Sequence, residues 1–288
     1  MASTSKNSST TLLGIASLFV ILFTMIPLLW IFSLSIKSPA AQATPELNTF
    51  GNFFPKPSEM SFDNYKLILT GGASELFIPA LINSLVVCLV ATLISVILAT
   101  FCAYAIARLN FPGKKVILVT ALAVSFFPVI SLVTPLFDVW SKIGLFDTQI
   151  GLIIPYLSLT LPLAIWTLSA FFQQIPWEME QAAQVDGATS WQAFRKVIVP
   201  LASPGVFTTA IITFFTAWND FVFAISLTSD RARTVPAALA FFTGASQFEQ
   251  PFGAISAAAV IVTIPVVILV LLFQQRIVSG LTSGAVKG

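Results

Sequence analysis

Six apolar runs, almost free of charge, alternate along the chain with polar stretches. They cover residues 12–32, 81–107, 116–137, 150–172, 201–223 and 255–273. A helix crossing the roughly 30 Å hydrocarbon core of a bilayer needs about 20 such residues, so each run predicts one transmembrane helix. The first run follows a polar tail whose one charge is Lys6. It is longer than the roughly 7–15-residue core of a signal peptide and its leading segment is weakly basic, which predicts an uncleaved anchor. The fifth run is interrupted by Asp220. Between the runs lie a tight turn with Phe111-Pro112-Gly113, a long connection over 174–200, and two Pro- or Phe-containing segments over 37–79 and 229–251.

Composition sharpens this into an all-α, polytopic membrane protein with six transmembrane helices. Hydrophobic residues make up 57% of the 288 and charged residues 9%, against about 25% charge in an ordinary soluble domain. The mean hydropathy is +0.93. A net charge of +2 excludes a broad basic surface for nucleic acid. With no histidine, imidazole acid–base chemistry and most zinc sites are excluded, and two cysteines, Cys88 and Cys102, cannot form a metal cluster alone. No GxxxxGK[ST] or GxGxxG run is present, so the chain predicts no nucleotide site and no enzymatic activity.

An even number of spans puts both ends on one side. That side carries Lys6, Arg108, Lys114, Lys115, Arg195, Lys196, Arg276 and Lys287; the other carries Lys37, Lys56, Lys66, Lys142, Arg231 and Arg233. The positive-inside bias predicts cytosolic termini, with the Arg108/Lys114/Lys115 cluster as the strongest indication. The connection 174–200 is then cytosolic, and 37–79 and 229–251 are external.

The connection 174–200 carries a helical pattern of its own. Pro176 suits a first helical turn and Glu178 its positive end. Met179, Ala182 and Ala183 share one face. Asp186-Gly187 ends that helix, since glycine takes a left-handed position at little cost. Thr189 and Gln192 have capping-box spacing for a second helix, with Trp191, Phe194 and Ile198 on its apolar face. A short helix with a small-residue face fits a partner's groove; a plain linker between spans is the alternative.

These residues carry a family resemblance. Glu180-Gln181-Ala182-Ala183-Gln184-Val185-Asp186-Gly187-Ala188, followed by Phe194 and Pro200, resembles the EAA loop of binding-protein-dependent ABC importer permeases. More narrowly, the chain is similar to the sugar-import type that includes the second permease subunit of maltose transporters. Asn83-Ser84-Leu85, Ala103-Tyr104-Ala105 with Arg108, Gly144-Leu145, Trp218-Asn219-Asp220 and the tail from Gln275 to Gly288 match the same pattern. The resemblance runs from about Asn64 to the C-terminus. It implies a single permease domain over 1–288 with the type I ABC importer permease fold, in a prokaryotic cytoplasmic (inner) membrane. The implied partners are a second homologous permease, two ATPase subunits that use ATP and Mg, and an extracytoplasmic solute-binding protein. The chain itself would bind no cofactor and no metal.

The resemblance also implies site residues. Glu180, Gln181, Ala182, Ala183, Asp186, Gly187 and Phe194 would couple to the ATPase. The family usually has Glu where this chain has Gln181, which keeps hydrogen bonds but loses a full ion pair. Phe241, Phe242, Thr243, Gly244 and Ala245 would form the tip of a loop facing the binding protein, the alternative being a bland external hairpin. Asn83, Tyr156, Thr216, Asn219 and Asp220 are polar candidates for the translocation route. An acid at bilayer centre costs about 2.5–3.5 kcal/mol, so Asp220 is expected near the external end, either facing the pathway or simply wet. Most of the 27 Phe and six Trp are lipid-facing or core residues. The solute implied is a sugar or oligosaccharide, with glycerol-3-phosphate or a polyol as an alternative. An ion-coupled secondary carrier or a membrane scaffold would be different classes; Asp220 alone is thin support for the carrier.

Overall fold

The structure, a computed structural model, describes residues 4–42, 55–242 and 251–285, with side chains over 12–42, 55–242 and 251–274. In chain order the helices are α1 (Thr4–Ile36), α2 (Pro39–Gln42), α3 (Asp63–Leu69), α4 (Ser74–Arg108), α5 (Lys114–Ser125), α6 (Ile130–Ile143) and α7 (Gln149–Gln174). They continue as α8 (Trp177–Val185), α9 (Ser190–Ala193), a π-helical turn (Phe194–Ile198), α10 (Val199–Leu201), α11 (Ser203–Trp218), α12 (Val222–Leu227), α13 (Val235–Leu239) and α14 (Phe252–Ala285).

Among the described residues, four stretches are long and apolar enough to cross a bilayer by themselves: Leu12–Ile36, Ser74–Arg108, Gln149–Gln174 and Phe252–Gln274. The number rises to six if each of two bent pairs is counted as one span. Both pairs differ from the straight runs the sequence suggests. The run over 116–137 is split into α5 and α6 with a 91° bend. Pro128 sits in the break; it has no N–H to donate, and the residue before it is pushed out of the helical region. The run over 201–223 is α11, which ends at Trp218, and its partner Ser190–Leu201 meets it at 70°. Asp220 therefore lies beyond the helix, where its carboxylate accepts the backbone N–H groups of Phe223 (3.5 Å) and Ala224 (3.1 Å) and so opens α12. The sequence cannot separate this local role from an intramembrane acid.

The chain packs as two units. One comprises Met1–Ile78 and Phe241–Ile264. In it the foot of α1 is held by polar side chains. Asn64 donates to the carbonyls of Ser35 (3.0 Å) and Lys37 (2.8 Å), Gln42 donates to Lys37 O (2.7 Å), and Ser35 and Tyr65 share a hydroxyl hydrogen bond (2.8 Å). Lys37 is buried and paired with Glu59 at 3.7 Å. Gly253 is pressed against Gln42 and Asn64, leaving no room for a side chain.

The second unit comprises Pro79–Ala240 and Pro265–Gly288. One cluster of its core is built from Ala99, Ala103 and Ile106 of α4, Ala164, Ile165, Leu168 and Phe172 of α7, and Ile198 and Ala202. Ala99 and Ala103 are one turn apart, so α4 presents a small-residue face that admits a close neighbour. Gly205 does the same for α11: a Cβ there would stand 2.4–2.7 Å from the Phe171 ring. Ser95 and Thr160 satisfy one another inside the core at 2.6 Å.

Candidate functional site: a helix–turn–helix loop and a clamped loop held by one helix

The connection 174–200 folds as a helix, a glycine turn and a helix. Pro176 stands just before α8 with extended ψ (142°), and Glu178 and Glu180 occupy the first turn. At the other end Gly187 has φ +89°, and Ala188 N–H closes the turn onto Ala183 O at 2.9 Å. A Cβ on Gly187 would touch nothing, so the backbone conformation alone selects glycine. Thr189 and Gln192 form the reciprocal capping box: Gln192 N–H donates to Thr189 Oγ1 (3.2 Å) and Thr189 N–H to Gln192 Oε1 (2.9 Å). The second helix is short. After α9 the chain widens into the π turn, which buries Phe194 and Ile198, while Trp191 remains half exposed against the Phe101 ring.

The predicted coupling residues divide between two faces. Gln181, Ala182, Asp186 and Gly187 are exposed, and Ala183 is half-buried. Val185 and Met179 are exposed beside them. Glu180 points the other way and is only 5% exposed. The Tyr104 hydroxyl donates to its Oε1 at 2.6 Å, and Arg108 Nε stands 3.8 Å from its Oε2. Arg108 also donates to Ile175 O (2.7 Å) and lies 4.8 Å above the Trp177 ring, an arrangement that favours a cation. Phe194 is buried against Tyr104 at 4.6 Å between ring centroids. Tyr104 and Arg108 were legible in the sequence only as fragments of a motif. Nothing in their spacing says that they receive a side chain more than 70 residues away.

In the first half of α4, Asn83 is buried. Its amide donates to the carbonyls of Arg231 (2.8 Å) and Arg233 (3.1 Å) and accepts from Gln149 (2.8 Å). Ser84 Oγ accepts Val235 N–H at 2.8 Å. The same loop wraps a residue that sequence reasoning missed. Asp147 stands at φ +55°, a left-handed position that Asp tolerates better than most residues. Its carboxylate accepts the backbone N–H groups of Ser229, Asp230, Arg231 and Ala232 at 2.9–3.2 Å, and the Ser229 hydroxyl at 2.9 Å. Partial burial raises its pKa, but the four N–H donors outweigh that and hold it at about 2. The one available signal was a short acid in a Gly-x-x-Asp-Thr turn ahead of a helix.

The remaining candidates are placed as follows. Tyr156 is fully buried. Thr216 donates to Ile212 O in its own helix (2.9 Å), and the exposed Asn219 donates to Phe215 O (2.9 Å). Phe242 is buried edge-on against Phe77, and Phe241 is half exposed. Thr243, Gly244 and Ala245 lie outside the described residues.

Comparisons with known proteins agree on the class of molecule. Residues 95–283 match the family described as the binding-protein-dependent transport system inner membrane component. The chain is 54% identical over 270 residues to the trehalose transport system permease protein SugB of Mycobacterium tuberculosis, covering 93% of this chain and 94% of that one. It is 38% identical over 280 residues to the trehalose/maltose transport system permease protein MalG of Thermococcus litoralis, covering 96% of each. Its fold is shared with a crystallised bacterial ABC transporter involved in the import of the acidic polysaccharide alginate, at a TM-score of 0.75 and 22% identity, covering 96% of this chain and 98% of that chain. The family match begins within α4 and runs into α14, and so takes in the 174–200 loop and the Arg108 end of the helix that holds it: the chain belongs to the inner membrane components of binding-protein-dependent transport systems.

Proposed function

We propose that this chain forms half of the translocation pathway of an ATP-driven importer for a sugar or oligosaccharide, most simply a disaccharide of the trehalose or maltose kind. It pairs with a second, similar permease above two ATPase subunits, and an extracytoplasmic binding protein delivers the solute. In this reading the molecule has six spans in the inner membrane, with each bent pair crossing once and both termini in the cytosol. The observation that carries it is the 174–200 loop. It is rigidly built, with a left-handed glycine, a complete capping box and a buried ion pair. Yet it leaves Gln181, Ala182, Val185 and Asp186 uncovered, as a surface made to seat in a partner would.

The choice of a neutral solute is supported by charge. Within the four apolar stretches Leu12–Ile36, Ser74–Arg108, Gln149–Gln174 and Phe252–Gln274, the one Arg or Lys is Arg108, at the end of α4 and turned to Glu180. An anion would want a cation along its route. The test is reconstitution with the cognate ATPase, second permease and binding protein, measuring uptake of labelled trehalose and maltose. Uptake that needs both ATP and binding protein, and that Ala183→Trp abolishes together with ATPase co-purification, is the expected outcome. Uptake driven by an ion gradient without ATP would make the chain a secondary carrier, and absence of any uptake would leave a scaffold.

A further inference from the structure

We propose that the Asn83–Arg108 stretch of α4 is a rigid connecting rod that joins the 174–200 loop at one end to the 229–235 loop at the other, with Arg108–Glu180 and Asn83 as its two fastenings. The proposal rests on the reading above that the first loop docks on an ATPase, and it adds the route by which that event is felt across the chain.

Three observations lead to it. The first is the grip at the Arg108 end. Tyr104 and Arg108 lie one helical turn apart and hold the loop on both its arms. Arg108 takes Ile175, Trp177 and Glu180 on entry. Tyr104 takes Glu180 and packs against Phe172 on entry and Phe194 on return. The Arg108 and Glu180 side chains are 2% and 7% exposed. Burying such a pair contributes little net stability, because desolvation offsets the attraction; its value is directional. The loop and the last turn of α4 are thereby fixed as one body.

The second is the grip at the Asn83 end. Asn83 and Ser84 fix three backbone groups of the 231–235 segment. Both fastenings belong to the same compact unit.

The third is the shaft between them. From Asn83 to Arg108 the sequence contains neither Pro nor Gly, a run of about 37 Å at 1.5 Å per residue. Pro79 of α4 lies before this stretch, whereas the other long helices carry proline further inside: Pro27 in α1, Pro155 and Pro162 in α7, Pro265 in α14. Kinks arise at such residues, so the Asn83–Arg108 stretch of α4 is the part of the long helices best able to carry a displacement without bending.

A double-mutant cycle in the complete importer tests this. Residues this far apart normally act independently, so their effects on rate should multiply. We expect Glu180→Gln and Asn83→Ala each to lower ATP hydrolysis stimulated by solute-loaded binding protein about tenfold, with the ATPase subunits still co-purifying. The double variant should be no worse than either single one. Tyr104→Phe, which removes one O–H and keeps the ring, should give a smaller loss in the same direction and guards against a fold defect in Glu180→Gln. Unchanged stimulation in Glu180→Gln and Tyr104→Phe would overturn the proposal. So would loss of ATPase co-purification in both, which would make Glu180 part of the docking face, or a double variant about a hundredfold down, which would mean two unrelated sites. Failure of the docking reading shows up separately, as ATPase retention by Ala183→Trp.

Discussion

Asp147→Asn isolates the charge at the centre of the 229–232 loop. Asparagine also tolerates the left-handed backbone, so the substitution leaves φ +55° nearly free of added strain, which Asp147→Ala would not. What is lost is a carboxylate that accepts four N–H groups and a hydroxyl. A pKa held at about 2 rather than near 4 corresponds to about 2.5 kcal/mol at 1.36 kcal/mol per pKa unit. Because Asp147 is partly exposed, solvent screening reduces this to about 1–1.5 kcal/mol. The assay is amide hydrogen exchange of Ser229–Ala232 in the purified complex. At 1.4 kcal/mol per factor of ten, protection of these amides should fall about five- to tenfold in Asp147→Asn, with α7 unaffected. The acid dependence has a definite sign. The folded pKa is depressed, so the stabilisation is complete above about pH 4 and disappears as pH falls through 4 towards 2. Wild-type protection should approach that of the variant over this window. Equal protection in the two proteins at neutral pH would refute the reasoning and reduce the five contacts to incidental ones.

Gly187→Val should abolish binding-protein-stimulated ATP hydrolysis by straining the turn after α8, whereas Gln181→Glu, on the exposed face, should leave it within about twofold; hydrolysis assays on reconstituted complexes check both. Single-cysteine labelling in a Cys88- and Cys102-free background should place Lys114 and Lys196 on the cytosolic side and Lys56 and Arg233 outside, and labelling of positions 114 and 233 from one side would eliminate the six-span topology. Gly205→Val should drive side-chain atoms into the Phe171 ring and destabilise the α7–α11 contact by about 1–3 kcal/mol, seen as a lower midpoint of thermal unfolding in detergent; an unchanged midpoint would show that Phe171 moves aside freely.

Long-range polar contacts were the part of this molecule that the sequence hid. The apolar runs announce the long helices because their signal is local and sums over twenty residues. The 174–200 loop was legible for the same reason: Gly187, Thr189 and Gln192 fix backbone geometry within a few positions of themselves. The contacts of Glu180 were not legible because Tyr104 and Arg108 lie on another helix. Asn83 read as a polar group for the pathway, and its amide is spent on the carbonyls of Arg231 and Arg233. In the run over 116–137, composition concealed the bend that Pro128 marks, since hydropathy is blind to a missing N–H.

From Leu12 to Leu29 every residue of α1 is exposed. Among the described residues its foot is tied down, through Asn64, Gln42 and Tyr65. As a unit of cooperative unfolding, the upper helix is therefore separate from the body of the protein, because it shares too few contacts to melt with it. Lipid or another subunit must supply whatever holds it in place, and a subunit does so by mass action. An unassembled copy would present this helix bare to membrane proteases, so the cellular lifetime of the chain is set by the supply of its partners as much as by its own folding free energy.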